Sequence, residues 1–270
     1  MGQLEGKTAV ILGAATKGNI AQVTARLFAQ EGATVMVAGR HEDVLAELAE
    51  EIGGHYALCD ISSHEQVHAL ADKAKADMGR VDAAINTTGW GLLAGFLEIT
   101  QDELDRITDL QFKGVHHFLQ AFVRVMSEQD PTGGSLISLS SATTKALLNN
   151  HAAYIASKRA GEAMIECIAN DYGHLGIKAN TVSPAFTHSP MTEGAFATPG
   201  IVDAFLPRYP LGRLNTSEDV AHACLWLCSD NAFVTGQNIQ PNGGVTLRGN
   251  PQAIDIQASV EAAMAKLEGS

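Results

Sequence analysis

Apolar positions along this chain fall into short β-branched runs, separated by longer stretches in which apolar residues recur every three or four positions. The short runs predict seven strands: TAVIL around Val10, TVMVA around Val35, HYALC around Leu58, AAIN around Ile85, SLISLS around Ile137, KANTV around Asn180 and QNIQP around Ile239. Helical patterns lie between them, the longest from Asp102 to Glu128 and from His151 to Leu175. Regular alternation of the two patterns predicts an α/β chain built on a seven-stranded, doubly wound parallel sheet with helices on both faces. A ligand of such a sheet is expected outside the carboxyl ends of its strands, so the residues that follow each strand become the candidates for chemistry.

The first strand ends in LGAATKGNIAQ, where Gly13 and Gly18 flank a turn that opens an amphipathic helix to about Gln30. Unpaired N–H groups and the positive dipole end of a helix attract a pyrophosphate, and a glycine turn lets it approach the backbone. This is not a clean G-x-G-x-x-G, and in isolation it reads equally well as an ordinary strand-to-helix turn. Its position after the first strand makes it a dinucleotide site in which Thr16, Lys17, Asn19 and Ile20 complete the turn. The second strand ends in VAGR, where an acidic residue would accept ribose hydroxyls and signal NAD. Arg40 stands there instead, after Gly39, and a guanidinium suits a 2′-phosphate. The expected cofactor is NADP(H), with NAD(H) as the alternative, and Lys17 would add a second positive charge. Asp60, followed by Ile61 at the end of the third strand, would accept from the adenine amino group, although an aspartate there also suits a turn or helix cap.

YIASK places Tyr154 and Lys158 four residues apart on one face of a helix. A phenol titrating near 10 is a poor base at neutral pH, and a neighbouring ammonium favours its ionised form, so the pair reads as a tuned acid/base device. Upstream, SLISLSSAT puts Ser138 and Ser140 on one face of a strand and Ser141 where the chain leaves the sheet, able to hold a carbonyl oxygen beside the phenol. Serines there also commonly satisfy turn backbone.

Composition removes several alternatives. The 270 residues are 46% hydrophobic, ample for a buried core, and the formal net charge of −12 without a basic stripe argues against nucleic acid or an anionic membrane as partner. The four cysteines are too scattered for a disulfide framework, and Cys224 and Cys228 read as buried core thiols in an apolar helix, so no metal is expected. His116 and His117 point in different directions from a helix and read as surface or interface residues. MGQLEGKTAVILG carries no basic segment before a long apolar run, and no apolar run approaches membrane length, which predicts a cytoplasmic protein.

With these pieces in order, the sequence resembles the short-chain dehydrogenase/reductase family from about Leu4 to Leu247. The resemblance is carried by the glycine turn at Gly13, NTTG at Asn86 to Gly89, the serine ahead of YIASK, NTVSPAFTHSPM at Asn180 to Met191, and PLGRLNTSEDVAHACLWLCSDNAFVTGQ followed by GG. It implies a single-domain Rossmann fold over residues 1–248, with a substrate lid at about 185–210 and residues 249–270 as a C-terminal extension that includes a helix from about Ile254. Tyr154 would be the catalytic acid/base, Lys158 would bind the nicotinamide ribose and lower the phenol pKa, and Ser141 would orient the substrate oxygen. Asn86, Thr87 and Gly89 would line the cofactor cleft, and Pro184, Thr187 and Ser189 would hold the nicotinamide. The two longest helices would form homodimers or homotetramers.

Three departures from the family pattern stand out. The glycine turn carries Leu12, Lys17 and Asn19 where the family commonly has a threonine and later glycines, and its length resembles the enoyl-acyl-carrier-protein reductase branch. That branch spaces its tyrosine and lysine more widely, and His151 stands at the corresponding position, so the Tyr154 to Lys158 spacing favours carbonyl chemistry. Gln111 replaces the catalytic asparagine, which in the family supports a water linking the lysine to bulk solvent. Ala185 replaces the glycine that usually follows Pro184. In the lid, Phe186, Met191, Phe196 and Phe205, with Trp90 after NTTG, would make an apolar substrate pocket, or serve as lid packing. The expected activity is hydride transfer between NADP(H) and a ketone or secondary alcohol of medium size and apolar character (EC 1.1.1). The alternatives are an enoyl-thioester reductase and a non-catalytic dinucleotide-binding sensor.

Overall fold

The computed structural model describes residues 2–268. Its elements follow the predicted alternation: β1 (Thr8–Leu12), α1 (Ile20–Gln30), β2 (Thr34–Gly39), α2 (Glu42–Ile52), β3 (His55–Leu58), α3 (His64–Met78) and β4 (Ala83–Asn86). Then come α4 (Gln101–Thr108), α5 (Gly114–Glu128), β5 (Gly134–Leu139), α6 (Ala152–Tyr172) and β6 (Ile177–Val182). Two short helices follow, α7 (Glu193–Ala197) and α8 (Ile201–Phe205), and then α9 (Ser217–Cys228), β7 (Asn238–Ile239), α10 (Val245–Arg248) and α11 (Ala253–Glu268). The seven strands form one parallel sheet in the order β3-β2-β1-β4-β5-β6-β7. The order reverses between β1 and β4, which opens a crevice at their carboxyl ends.

Alternation along the strands divides the core into two layers. Val10, Leu12, Met36, Ala84 and Leu136 face α3, α5 and α6, where Leu70, Phe118, Phe122 and Ile165 are buried against them. Ala9, Ile11, Val37, Ile85 and Ile137 face α1, α2 and α9, which contribute Phe28, Leu45, Leu48 and Leu225. Cys224 and Cys228 belong to this second layer, and none of the four cysteines is disulfide-bonded. His116 is exposed and His117 is half-buried, its ring 5.2 Å from that of His64. Among the described residues no helix is long and apolar enough to cross a membrane.

The sequence pattern makes Asp102 to Glu128 one helix; the structure makes it α4 and α5 joined by a π turn at Asp109–Lys113. A capping box at Thr100 and Glu103 fixes the start of α4. The π turn inserts an extra residue and leaves Gln111 buried at 1% exposure, facing α6, while its neighbours Phe112 and Lys113 are exposed. Periodicity alone does not carry that local change of pitch.

The C-terminal helix α11 folds back on α8 and the turn after it. Ile256 packs against the small cluster that holds Phe205 and Tyr209, Ser259 Oγ donates to the Gly200 carbonyl (2.7 Å), and Arg208 pairs with Asp255 (3.1 Å). Gly200 has a φ of +85°, and a Cβ there would collide with the Ser259 carbonyl oxygen. Gly200→Ala is therefore expected to destabilise the protein by about 1–3 kcal/mol, combining left-handed backbone strain with backbone collision. Urea unfolding measures the loss, and hydrogen exchange should show it concentrated in α8 and α11.

Candidate active site

The crevice between β1 and β4 is a cleft of about 630 Å³, within the range of small-molecule sites. Gly13, Thr16, Asn19, Arg40, Asp60, Ile61, Thr87, Gly89, Trp90 and Met191 all line it. The turn after β1 is rigid because its own side chains bond it. Asn19 caps α1 by accepting from Gln22 N (3.0 Å), donates to the Gly13 carbonyl (2.7 Å), and Gln22 Nε2 donates to the Ala14 carbonyl (3.0 Å). Gly13 has a φ of +113°, and a Cβ there would collide with Thr87 Oγ1, so β1 and the NTTG segment approach as only glycine allows. Ile20 begins α1, half-buried against the second core layer.

Charges at the adenosine end are mixed. Arg40 is exposed, with its guanidinium 3.9 Å from the Asp60 carboxylate. Lys17 is exposed and paired with Glu47 at 2.5 Å. Asp60 accepts from both Ser62 N (2.9 Å) and Ser62 Oγ (2.7 Å), forming the turn before α3. Partial burial alone would raise the Asp60 carboxyl; the Ser62 bonds and Arg40 outweigh it and hold the group below its ordinary value.

The next feature of the cleft is the end of β4. Asn86 is 1% exposed, and its Oδ1 accepts from Thr88 N (2.9 Å) and Thr88 Oγ1 (2.8 Å), which folds NTTG back toward the sheet. Gly89 then passes so close to α6 that a Cβ would stand 3.3 Å from Gln111 Oε1 and 3.4 Å from Lys158 Nζ. Gln111 bridges the two sides: Oε1 accepts from Trp90 N (2.5 Å) and Nε2 donates to Ser157 Oγ (2.8 Å). Arg106 lies 4.2 Å over the Trp90 ring at the cleft wall.

Ser141, Tyr154 and Lys158 come together where β5 and α6 meet. Lys158 is buried and donates to the Leu139 carbonyl (2.8 Å) and the Thr88 carbonyl (3.4 Å), with its ammonium 5.8 Å from the Tyr154 ring centroid. Burial lowers its pKa from 10.5 to about 8. Tyr154 is raised above 10.0 by burial, while a hydrogen bond with Ser141 pulls it the other way. Ser141 Oγ accepts from Thr143 N (3.2 Å) and Thr143 Oγ1 (2.9 Å), which leaves its own proton to donate. His151, three residues before Tyr154, sets its ring edge-on to the phenol at 5.6 Å.

Beyond Pro184 the segment that leads into α7 and α8 packs on itself. Thr192 Oγ1 accepts from Ser189 N (3.1 Å) and donates to the Thr187 carbonyl (2.5 Å), and Thr187 Oγ1 donates to the Ala185 carbonyl (2.9 Å). Phe186 stacks on Phe196 (4.4 Å between centroids) and touches Phe205 (4.6 Å), which is buried beside Tyr209. These three phenylalanines meet one another, whereas Trp90 and Met191 face the cleft. Sequence reasoning missed Ser157, Thr88, Thr192 and Glu162; Glu162 alone had a visible signal, a carboxylate four residues beyond Lys158 on the inward face of α6.

The crevice at the switch point of the sheet has the volume of a small-molecule site, and Lys158 reaches its wall at the Thr88 carbonyl, with Tyr154 and Ser141 beside it. A family model described as "Enoyl-(Acyl carrier protein) reductase" matches residues 13–246. A 3-oxoacyl-(acyl-carrier-protein) reductase of Thermotoga maritima is 32% identical over 251 residues, spanning 91% of this chain and 100% of its own. A short-chain type dehydrogenase/reductase from Mycobacterium ulcerans superposes with a TM-score of 0.87 at 26% identity, covering 92% of each chain. A gluconate 5-dehydrogenase from Burkholderia cenocepacia J2315, solved with NADP and tartrate, gives 0.85 at 26% identity, with 90% of this chain and 96% of that one covered. The chain belongs to the short-chain dehydrogenase/reductase family.

The buried lysine makes a stability prediction. Between about pH 8 and 10.5 the unfolded chain holds a proton that folded Lys158 has released, so this group's contribution to stability rises with pH across that window. Below the window the folded state carries a buried charge that costs up to about 3 kcal/mol. Lys158→Met should raise the Tm of the cofactor-free protein at pH 7, flatten its stability between pH 8 and 10.5, and abolish turnover. A variant less stable than wild type at pH 7 would show that the bonds to Leu139 and Thr88 outweigh desolvation.

Proposed function

We propose that this protein transfers a hydride between NADP(H) and a ketone or secondary alcohol, and that Ser141, Tyr154 and Lys158 carry the reaction. The convergence of a serine hydroxyl, a phenol hydrogen-bonded to it and a buried ammonium at the end of β5 is the observation that supports it. NADP(H), when bound along the cleft, supplies or takes up the hydride at the substrate carbon. In the direction of reduction Ser141 holds the substrate oxygen and Tyr154 gives it the phenolic proton. The ammonium of Lys158 stabilises the charge left on the phenol, and the process reverses for oxidation. Gln111 keeps the loop after β4 and α6 in register through its bonds to Trp90 N and Ser157 Oγ.

The T. maritima relative is a 3-oxoacyl-(acyl-carrier-protein) reductase, which accords with carbonyl chemistry, and the B. cenocepacia neighbour was solved with NADP, which accords with a phosphate at Arg40. Trp90 and Met191 on the cleft wall suit an apolar substrate of medium size. Reduction of an enoyl thioester is the second reading, favoured by the description of the matching family model. An apolar groove of about 750 Å³ between α5 and α6, lined by Phe112, Leu119, Val123, Met164 and Ile168, suits pairing with a second copy.

Assayed with NADPH against ketones, 3-oxo thioesters and enoyl thioesters, Tyr154→Phe should lose more than about 100-fold in kcat with nearly unchanged NADPH affinity. Wild-type turnover in that variant would remove Tyr154 from the chemistry, and turnover of enoyl thioesters alone would select the second reading. Arg40→Ala should raise the Kd of NADPH about tenfold or more and that of NADH by less than about twofold, measured by nicotinamide fluorescence. Equal losses would refute a contact to the 2′-phosphate.

A further inference from the structure

Glu162 lies two helical turns beyond Tyr154 and one beyond Lys158 on α6, half-buried behind the serine turn. One of its carboxylate oxygens, Oε1, accepts from Ser140 Oγ (2.6 Å), Thr144 Oγ1 (2.7 Å) and Asn238 Nδ2 (2.6 Å). The donors come from the end of β5, the 3₁₀ turn Ala142–Thr144 and β7. Ser140 and Thr144 bracket Ser141. Among the described residues no lysine or arginine pairs with Glu162, so it is a hydrogen-bond hub rather than half of an ion pair. Its neighbour Arg159 grips the same turn through two bonds to the Thr144 carbonyl (3.1 and 2.7 Å).

Beside its hydrogen bond with Tyr154, Ser141 Oγ accepts two bonds from Thr143, inside the turn that Glu162 clamps. The turn that sets the orientation of Ser141 is therefore itself held by a carboxylate bonded to Ser140, Thr144 and Asn238. We propose that Glu162 is a positioning residue for the reaction, fixing the Ser141 turn against the helix that carries Tyr154. Bonds to an ionised acceptor are short and strong, and a displacement of about 1 Å at a reacting group costs on the order of 100-fold in rate, so such a clamp bears directly on kcat.

The inference rests on the assignment of Ser141 and Tyr154 to the reaction. Its test is a double-mutant cycle on NADPH-dependent ketone reduction, joined to crystal structures of the wild type and Glu162→Ala. Glu162→Ala should lower kcat about 10- to 100-fold while the Kd of NADPH stays within about twofold, and Glu162→Gln, which keeps the accepting oxygen, should recover most of the loss. In a Ser141→Ala background the same Glu162→Ala change should cost less than about twofold more. The crystal structures should show Ser141 Oγ drawn away from Tyr154. Full repetition of the loss in the Ser141→Ala background, equal losses in Gln and Ala, or an unmoved Ser141 would each overturn the proposal. Undiminished turnover in Ser141→Ala and Tyr154→Phe would instead bring down the assignment of the reaction, while the crystal structures would still report whether Glu162 holds the turn.

Discussion

The ammonium of Lys158 is bonded to the carbonyls at the ends of two neighbouring strands, Leu139 on β5 and Thr88 just beyond β4. A buried charge is tolerated only where its donors find acceptors, so these bonds fix how α6 is rotated against the sheet. Once that rotation is set, Tyr154 one turn earlier faces the end of β5 and Glu162 one turn later reaches Ser140 and Thr144. The loop after β4 is drawn to the same place, and Gly89 is the residue small enough to pass between Gln111 and Lys158. Lys158 is thus the pin around which these side chains are assembled, and burial that lowers its pKa is unfavourable to folding. Stability at this point is given up for geometry.

Gln111 shows how the departure from the family's asparagine is absorbed. The π turn at Asp109–Lys113 turns residue 111 inward, and the longer amide spans from Trp90 N to Ser157 Oγ. Ser157 Oγ in turn donates to the Tyr154 carbonyl (2.8 Å), so the amide ties the cleft wall to the first turn of α6. Both ends of a glutamine amide are used here, its oxygen as acceptor and its nitrogen as donor, and neither partner is left unsatisfied.

The fold was legible because parallel strands buried on both faces leave continuous apolar runs, and all seven runs around Val10, Val35, Leu58, Ile85, Ile137, Asn180 and Ile239 became strands. Tyr154, Lys158 and Ser141 were legible as residue types at a spacing that helix and strand geometry convert into proximity. The π turn was not, because a single added residue hardly disturbs an apolar period of three to four. The Glu162 hub was not, since its three donors are dispersed from Ser140 to Asn238 and only the folded sheet brings them together. The lid phenylalanines were ambiguous for a different reason: an apolar side chain lines a pocket or fills one with the same sequence signature, and here Phe205 is buried against Tyr209 while Met191 stands at 62% exposure.

Recognition of the nucleotide faces a field that composition opposes. With a net charge of −12 the protein repels an anionic dinucleotide at long range, and Asp60, Asp102, Asp105 and Asp109 stand along the cleft itself. Charges more than about 8 Å away are largely screened at physiological ionic strength, so near groups decide the outcome. Lys17 is engaged by Glu47 and Arg40 leans toward Asp60, which leaves the neutral donors of the Gly13–Asn19 turn and the end of α1 as the contacts that any dinucleotide would share. On the proposed reading, discrimination between phosphorylated and unphosphorylated ribose would fall to Arg40, whose present partner, 3.9 Å away and partly solvated, is weak enough to be exchanged for a phosphate. On the same reading the chemistry at Tyr154 is built from α6 and Arg40 follows β2, so cofactor choice and catalysis would be set by separate parts of the fold.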